Sequence, residues 1–264
     1  MPIAKVGDVN LCYNILGNGQ PLIAITGFAS AQNTLFVLAH TFAKYYRVLT
    51  FDNRGIGKTD MPAGPYSMNM MAGDTVGLMD ILGIDRAHFL AGSMGGMIAQ
   101  HIAIDHPQKV DKLVLFNTSA DSQWLLDLVK ATIPNWDGTF NISADDYMKL
   151  IREIVTRSVN QPFSRLVFGA LASLQVKFGK IDGMVGQLQA MMSHSVLDKL
   201  QQIKAPTLVL TGTKDRLIPP HLSEVLTSRI TGARLVSFDE GSHTMAGEMA
   251  GRFNKEVLDF LRSN

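Results

Sequence analysis

Strand-length apolar runs that alternate with helix-length patterns constrain this chain more than any other feature. "VNLCYNIL" (9–16), "PLIAITG" (21–27), "YRVLTFD" (46–52), "AHFLAG" (87–92) and "VDKLVLFN" (110–117) are rich in β-branched and aliphatic residues. Helical patterns fill 33–45, about 68–82 and about 94–105 between them. Continuous apolar runs belong to strands buried on both faces, which is how a parallel sheet covered by helices is built. Turn chemistry at Gly7-Asp8 and in "GNGQ" (17–20) brackets the first of these strands. The expected fold class is α/β, a mostly parallel central sheet flanked by helices.

After "NTSAD" the rhythm changes. From about Asp121 to Gln202 the pattern is helical throughout, with Trp124, Trp136, Phe140, Phe163, Phe168, Phe178, Met148, Met184, Met191 and Met192 supplying apolar faces. Alternation returns with "APTLVLTG" (205–212), a helix from about Pro219 to Arg229, "ARLVSFD" (233–239) and a C-terminal helix from about Glu248. The simplest organisation is a core of residues 1–120 and 203–264 with a helical insertion over 121–202. A chain of 264 residues has room for both.

Composition removes several function classes. Hydrophobic residues make up 46%, which argues against disorder. A net charge of +1 argues against a dedicated nucleic-acid surface. The opening "MPIAKVGDVN" lacks the regions of a signal peptide, and no apolar run approaches the roughly 20 residues that span a bilayer. The expectation is a cytoplasmic protein without a membrane partner. Cys12 is the only cysteine, so an intrachain disulfide and a cysteine zinc cage are excluded. It reads as a small buried apolar residue.

"FLAGSMGGMIAQ" (89–100) places Ser93 among glycines, between a strand and a helix. A nucleophilic serine on such a turn has a strained backbone and needs small residues two before and two after it. Ala91 and Gly95 fill those positions, with Gly96 next. A phosphate cradle fits poorly, because neither G-x-G-x-x-G nor G-x-x-x-x-G-K-[ST] can be drawn through these residues. "GKT" (57–59) is a decoy of the same kind, since the phosphate-loop pattern requires glycine where Asp52 stands.

Serine is a weak nucleophile without a base. Of seven histidines, His40 and His101 lie in helical patterns, His88 opens a strand and His106 ends a helix. His194 lies in the insertion without an orienting partner, and His221 stands at a helix start. His243, in "FDEGSHTM", follows the last strand in a glycine-containing loop, the edge of a parallel sheet where catalytic groups collect. Asp215, in "TLVLTGTKDRLIPP", lies just past a strand end on the same edge. By position alone it serves equally as a turn or helix-capping aspartate. The order Ser93, Asp215, His243 is that of one large fold family. Asp121 is the reserve candidate for the acid.

The ordered set "ITGFAS", "FDNRGIGKTD", "AGSMGGMIAQ", "TGTKDRLIPP" and "GSHTMAGE" resembles the α/β-hydrolases over nearly the full chain. The resemblance implies a catalytic triad of Ser93, Asp215 and His243, with the backbone N–H groups of Phe28 and Met94 as oxyanion donors. The chain departs from the pattern at Thr26-Gly27, where many members have His-Gly; backbone donors tolerate that change. The insertion then corresponds to the family's cap, or lid, and Arg54 to a residue that ties down neighbouring backbone carbonyls. No metal or organic cofactor is implied.

"DNRG" and "SMGGMIAQ" are similar to the small carboxylesterase and 3-oxoadipate enol-lactonase branch, which implies a small ester or lactone as substrate. Carbon–carbon bond hydrolases with the same triad, and slow-turnover small-molecule receptors, stay open as alternatives. Arg152, Arg157 and Arg165 of the insertion are candidates for a substrate carboxylate, and equally ordinary surface arginines. The methionines suit an adaptable apolar pocket as well as simple packing.

Overall fold

The computed structural model describes residues 1–139, 142–159 and 181–263. The expectations placed on Phe140, Phe163, Arg165, Phe168 and Phe178 lie outside these residues. The strands are β1 (Ile3–Val6), β2 (Val9–Leu16), β3 (Pro21–Ile25), β4 (Arg47–Phe51), β5 (Ala87–Gly92), β6 (Val110–Phe116), β7 (Thr207–Gly212) and β8 (Arg234–Phe238). They form one sheet in the order β1-β2-β4-β3-β5-β6-β7-β8. The first two pairings are antiparallel and the remaining five parallel.

The pleat sorts alternate side chains of each strand into two cores. Ile23, Ile25, Phe89, Ala91, Leu113, Leu115 and Val209 face one core, which is closed by helices α2 (Met68–Ile81), α3 (Met94–Asp105) and α7 (His221–Arg229). Leu22, Ala24, Leu90, Val114, Leu208 and Leu210 face the other, under α1 (Phe36–Phe42) and α9 (Ala250–Arg262). Every residue of β5 is buried, as its continuous apolar run requires. The insertion between β6 and β7 holds α4 (Gln123–Thr132), α5 (Ala144–Ser158) and α6 (Ile181–Met192), and a single bridge pairs Asp121 with Ser195 near its base. Among the described residues no helix is long and apolar enough to cross a membrane.

The helical pattern over 33–45 resolves into a 3-10 turn, Gln32–Leu35, followed by the short α1. Gln32 is buried and tied to the strand layer: its N–H donates to Asp52, and its side-chain amide engages the Cys12 carbonyl and the Thr50 hydroxyl. The C-terminal pattern likewise divides into a short α8 (Met245–Glu248) and α9.

Strand order also locates the site. From β3 the chain crosses to β4 on one side, then returns to β5 on the other side of β3. Loops leaving the C-terminal ends of β3 and β5 therefore diverge, and open sheets place their ligand crevice at such a switch point.

Candidate active site

Ser93 stands between β5 and α3 with φ 53° and ψ −128°, a conformation outside the common regions for a residue with a side chain. Such strain costs about 1–3 kcal/mol and persists only where the surroundings enforce it. Here the Ser93 N–H donates to the Phe116 carbonyl at 3.0 Å, and the Ser93 carbonyl accepts from the Thr118 hydroxyl at 2.7 Å. The small neighbours have separate reasons. A Cβ on Gly95 would collide with the Ile25 carbonyl, one on Gly96 would lie 2.7 Å from the Thr118 side chain, and one on Gly92 would enter the Phe116 ring. The requirement at Gly92 comes from a ring on the adjacent strand, and the spacing around Ser93 carries no sign of it.

The loops after β7 and β8 bring two more predicted residues to Ser93. His243 Nε2 lies 3.1 Å from Ser93 Oγ, and His243 Nδ1 lies 2.7 Å from Asp215 Oδ2. The Asp215 side chain is fully buried, and its Oδ1 accepts the Leu217 and Ile218 N–H groups at 2.9 Å each. Those two bonds orient the carboxylate so that its second oxygen faces the imidazole. His243 remains partly exposed, at the edge where a substrate could reach it.

Two residues that sequence reasoning did not single out hold this arrangement. Asn117, at the end of β6, has φ 45° and is buried. Its Nδ2 donates to the carbonyls of Ser242 (3.2 Å) and His243 (2.8 Å), and its Oδ1 accepts the Gly212 N–H (3.1 Å). Glu248 grips the same loop from the other side. It accepts the Ser242 N–H at 3.0 Å and hydroxyl at 2.7 Å, and the Thr244 hydroxyl at 3.1 Å. An asparagine just past a strand, able to take the left-handed conformation, is the only local signal for the first.

The predicted oxyanion donors flank Ser93. Met94 opens α3, and first-turn amides have no acceptor within their own helix. Its N–H thus lies at the positive end of the helix dipole, beside the serine. Phe28 follows Gly27, and a Cβ built on Gly27 would sit 3.4 Å from Ser93 Cβ and 3.7 Å from its Oγ. The loop after β3 therefore passes close enough to the serine that even a methyl group at position 27 would touch it. Thr26, where His is common, is held by Asn53 Nδ2, which reaches its hydroxyl at 3.1 Å and its carbonyl at 3.3 Å.

Other candidates lie elsewhere. Asp121 accepts the Gln123 N–H at 3.0 Å at the start of α4, a local turn role without contact to His243. His194 is buried, with Nδ1 3.4 Å from His101 Nε2 and Nε2 3.3 Å from the Ser119 carbonyl. Burial, reinforced by His101, pushes its pKa down to about 3. The "GKT" decoy resolves into a loop around Asp52, whose carboxylate accepts the Lys58 and Gln32 N–H groups, while the Thr59 hydroxyl donates to the Asp52 carbonyl.

The expectation for Arg54 is corrected. Its guanidinium engages carboxylates, with Nε 2.6 Å and Nη2 2.7 Å from the two Asp74 oxygens and Nη2 3.2 Å from Asp8. A buried cation needs a countercharge more than it needs a carbonyl. Arg152 and Arg157 line a groove between α4 and α5 with Lys149 and Glu153, away from the Ser93 loops, and Arg157 pairs with Glu153 at 3.4 Å. Among the described residues no group of three or more His, Cys, Asp or Glu side chains is placed to hold a metal ion.

Known proteins share this architecture. A 2-hydroxy-6-oxononadienedioate/2-hydroxy-6-oxononatrienedioate hydrolase of Paraburkholderia xenovorans (strain LB400) is 28% identical over 268 residues, 97% of this chain and 91% of that protein. The crystal structure of the enol-lactonase from Burkholderia xenovorans LB400 superposes with a TM-score of 0.85 at 28% identity, covering 99% of this chain and 100% of that one. Est816, described as an N-acyl homoserine lactone degrading enzyme, gives a TM-score of 0.85 at 26% identity over 98% of this chain and 100% of its own. The model of the alpha/beta hydrolase fold matches residues 20–248, and the chain belongs to that family.

Proposed function

We propose that this protein is a serine hydrolase that cleaves a carboxylic ester or lactone of a small, apolar substrate through an acyl-enzyme. The observation that carries the reading is the continuous hydrogen-bonded line from Ser93 Oγ through the His243 ring to Asp215 Oδ2. In the first half-reaction Ser93 Oγ attacks the substrate carbonyl carbon while His243 Nε2 takes its proton. The Phe28 and Met94 N–H groups receive the charge that develops on the carbonyl oxygen. His243 then returns the proton to the leaving alkoxide, and the acyl group stays on Ser93. Water, deprotonated by His243, attacks the acyl-enzyme carbonyl; the bond to Ser93 Oγ then breaks, His243 returns the proton to Oγ, and the acid leaves. Asp215 holds the imidazole tautomer with its proton on Nδ1 and stabilises the imidazolium throughout. None of these steps calls for a metal or an organic cofactor.

In this reading the insertion over 121–202 acts as a cap. Its helix α6 packs onto the segment between β4 and α2, with Gly183 against Gly55 and Gly186 against the Tyr66 ring. Met184, Met191 and Met192 of the same helix are buried in the main core and anchor the cap to it. A second reading, carbon–carbon bond hydrolysis by the same triad, is favoured by the relative named as a 2-hydroxy-6-oxononadienedioate hydrolase.

The test is a substrate panel of p-nitrophenyl esters, lactones, a carbamate and a vinylogous diketone, assayed with the native chain and Ser93→Ala. The expected result is turnover of esters or lactones that Ser93→Ala loses by about a millionfold. Native-level hydrolysis by Ser93→Ala would overturn the nucleophile assignment. Exclusive turnover of the diketone would favour the second reading.

A further inference from the structure

The peptide that carries the Phe28 N–H sits between two pinned neighbours. On one side, the Thr26 carbonyl accepts from Asn53 Nδ2 at 3.3 Å. On the other, the Phe28–Ala29 peptide is held at both ends: its carbonyl accepts the Ser30 hydroxyl at 3.1 Å, and its N–H donates to Gln187 Oε1 at 3.0 Å. Ala29 has φ 54°, the left-handed region that a residue with a side chain seldom adopts unaided. Gln187 comes from α6, 158 positions away, and is 1% exposed.

The Gln187 amide cannot be turned over. Its Nε2 donates to the Arg54 carbonyl at 3.0 Å, so a flip would set N–H against N–H at Ala29 and oxygen against oxygen at Arg54. One side chain thus joins α6 to two core loops. We propose that Gln187 is a positioning residue for the oxyanion loop, locking the Phe28–Ala29 peptide so that the Phe28 N–H stays aimed at the reacting carbonyl. The inference rests on the serine-hydrolase reading above and deepens it: the seating of α6 sets one of the two oxyanion donors. A substrate that shifts α6 therefore also shifts that donor.

The experiment measures kcat and KM for p-nitrophenyl acetate, a substrate too small to depend on extensive insertion contacts, in the native chain, Gln187→Met and Gln187→Glu. Methionine keeps the side-chain length and removes both hydrogen bonds; glutamic acid, which burial at this position keeps protonated, retains an acceptor for the Ala29 N–H and an O–H donor for the Arg54 carbonyl. The expected result for Gln187→Met is a fall of about 10- to 100-fold in kcat, below the roughly hundred- to thousandfold lost with a whole oxyanion donor. KM stays within about 3-fold, the pattern of an interaction expressed in the transition state. Gln187→Glu recovers most of the lost kcat. A native kcat in Gln187→Met, a loss confined to KM, or equal losses in both variants would overturn the proposal. Should Gln187→Met not fold, Gln187→Asn, too short to span both partners, takes its place under the same criteria. Ser93→Ala assayed in parallel separates the two ideas. If it retains native hydrolysis the serine reading fails; if it is dead beside a native-like Gln187→Met, only the role of Gln187 fails.

Discussion

Asn117 joins the loops that carry Asp215 and His243, donating to the His243 carbonyl at 2.8 Å and accepting the Gly212 N–H at 3.1 Å. Removing it frees the histidine loop and leaves buried backbone groups unpaired, each costing about 1–3 kcal/mol. Asn117→Ala is expected to lower kcat by about 100-fold, the scale of a 1 Å misplacement of a reacting group, and to reduce stability. Steady-state kinetics beside urea unfolding check it. Unchanged turnover would show that the loop holds its shape without this side chain.

The two acidic candidates separate by mutation. Asp215 accepts two backbone N–H bonds and lies 2.7 Å from His243 Nδ1, whereas Asp121 accepts a backbone N–H in the turn at the start of α4. Asp215→Asn should lower turnover by about 10⁴-fold, because an amide stabilises the wrong imidazole tautomer. Asp121→Asn should leave turnover within a few-fold of native. Esterase assays on both variants decide, and the reverse ranking would move the acid to Asp121.

Arg54 and Asp74 form a buried bidentate pair at 2.6 and 2.7 Å. Burial pushes the Asp74 carboxyl up, and the Arg54 hydrogen bonds and charge pull it back. Asp74→Ala strands a buried guanidinium, with an expected loss of about 3–5 kcal/mol measurable by chemical denaturation. A loss under about 1 kcal/mol would mean that Asp8 or water takes over the charge.

Acid should destabilise the fold through its buried histidines. His194 is pushed down to about 3 by burial and by His101, while His101 and His88 are both lowered, chiefly by burial. Unfolded histidine titrates near 6.5, so as pH falls the unfolded chain takes up these protons first. Stability is complete above about pH 6.5 and declines toward pH 3, by up to roughly 1.4 kcal/mol per pH unit for each fully buried ring. Urea midpoints at pH 7.5, 6.0 and 5.0 test the trend, and His194→Gln should flatten it. An equally steep decline in that variant would assign the effect to other groups.

The sheet is legible in the residues because its signal is local. β5 matches the run "AHFLAG" residue for residue, since it is buried at every position, and β2 matches "VNLCYNIL", whose β-branched and aliphatic residues are bounded by turn chemistry on both sides although its second half is only partly buried. β1 has only four residues, too few to show a period, and it exists through its pairing with β2. The first turn near Gln32 tightens to a 3-10 turn because Asp52, Cys12 and Thr50 hold Gln32, and helical spacing carries no trace of those partners. Arg54 is misread for the same reason: its partners Asp74 and Asp8 lie 20 and 46 positions away.

By itself the sequence determined the α/β class, the interrupted alternation and the positions of Ser93, Asp215 and His243 just past strand ends. Those features depend on side-chain periodicity and on turn chemistry, which neighbouring residues specify. Only the tertiary structure decided that Asn117 fastens two loops, that Phe116 forbids a side chain at position 92, and that Gln187 reaches from α6 to Ala29. These are contacts to backbone atoms and to a ring across long separations. A carbonyl oxygen is the same group in every residue, so no residue type announces such a partner until the chain has folded.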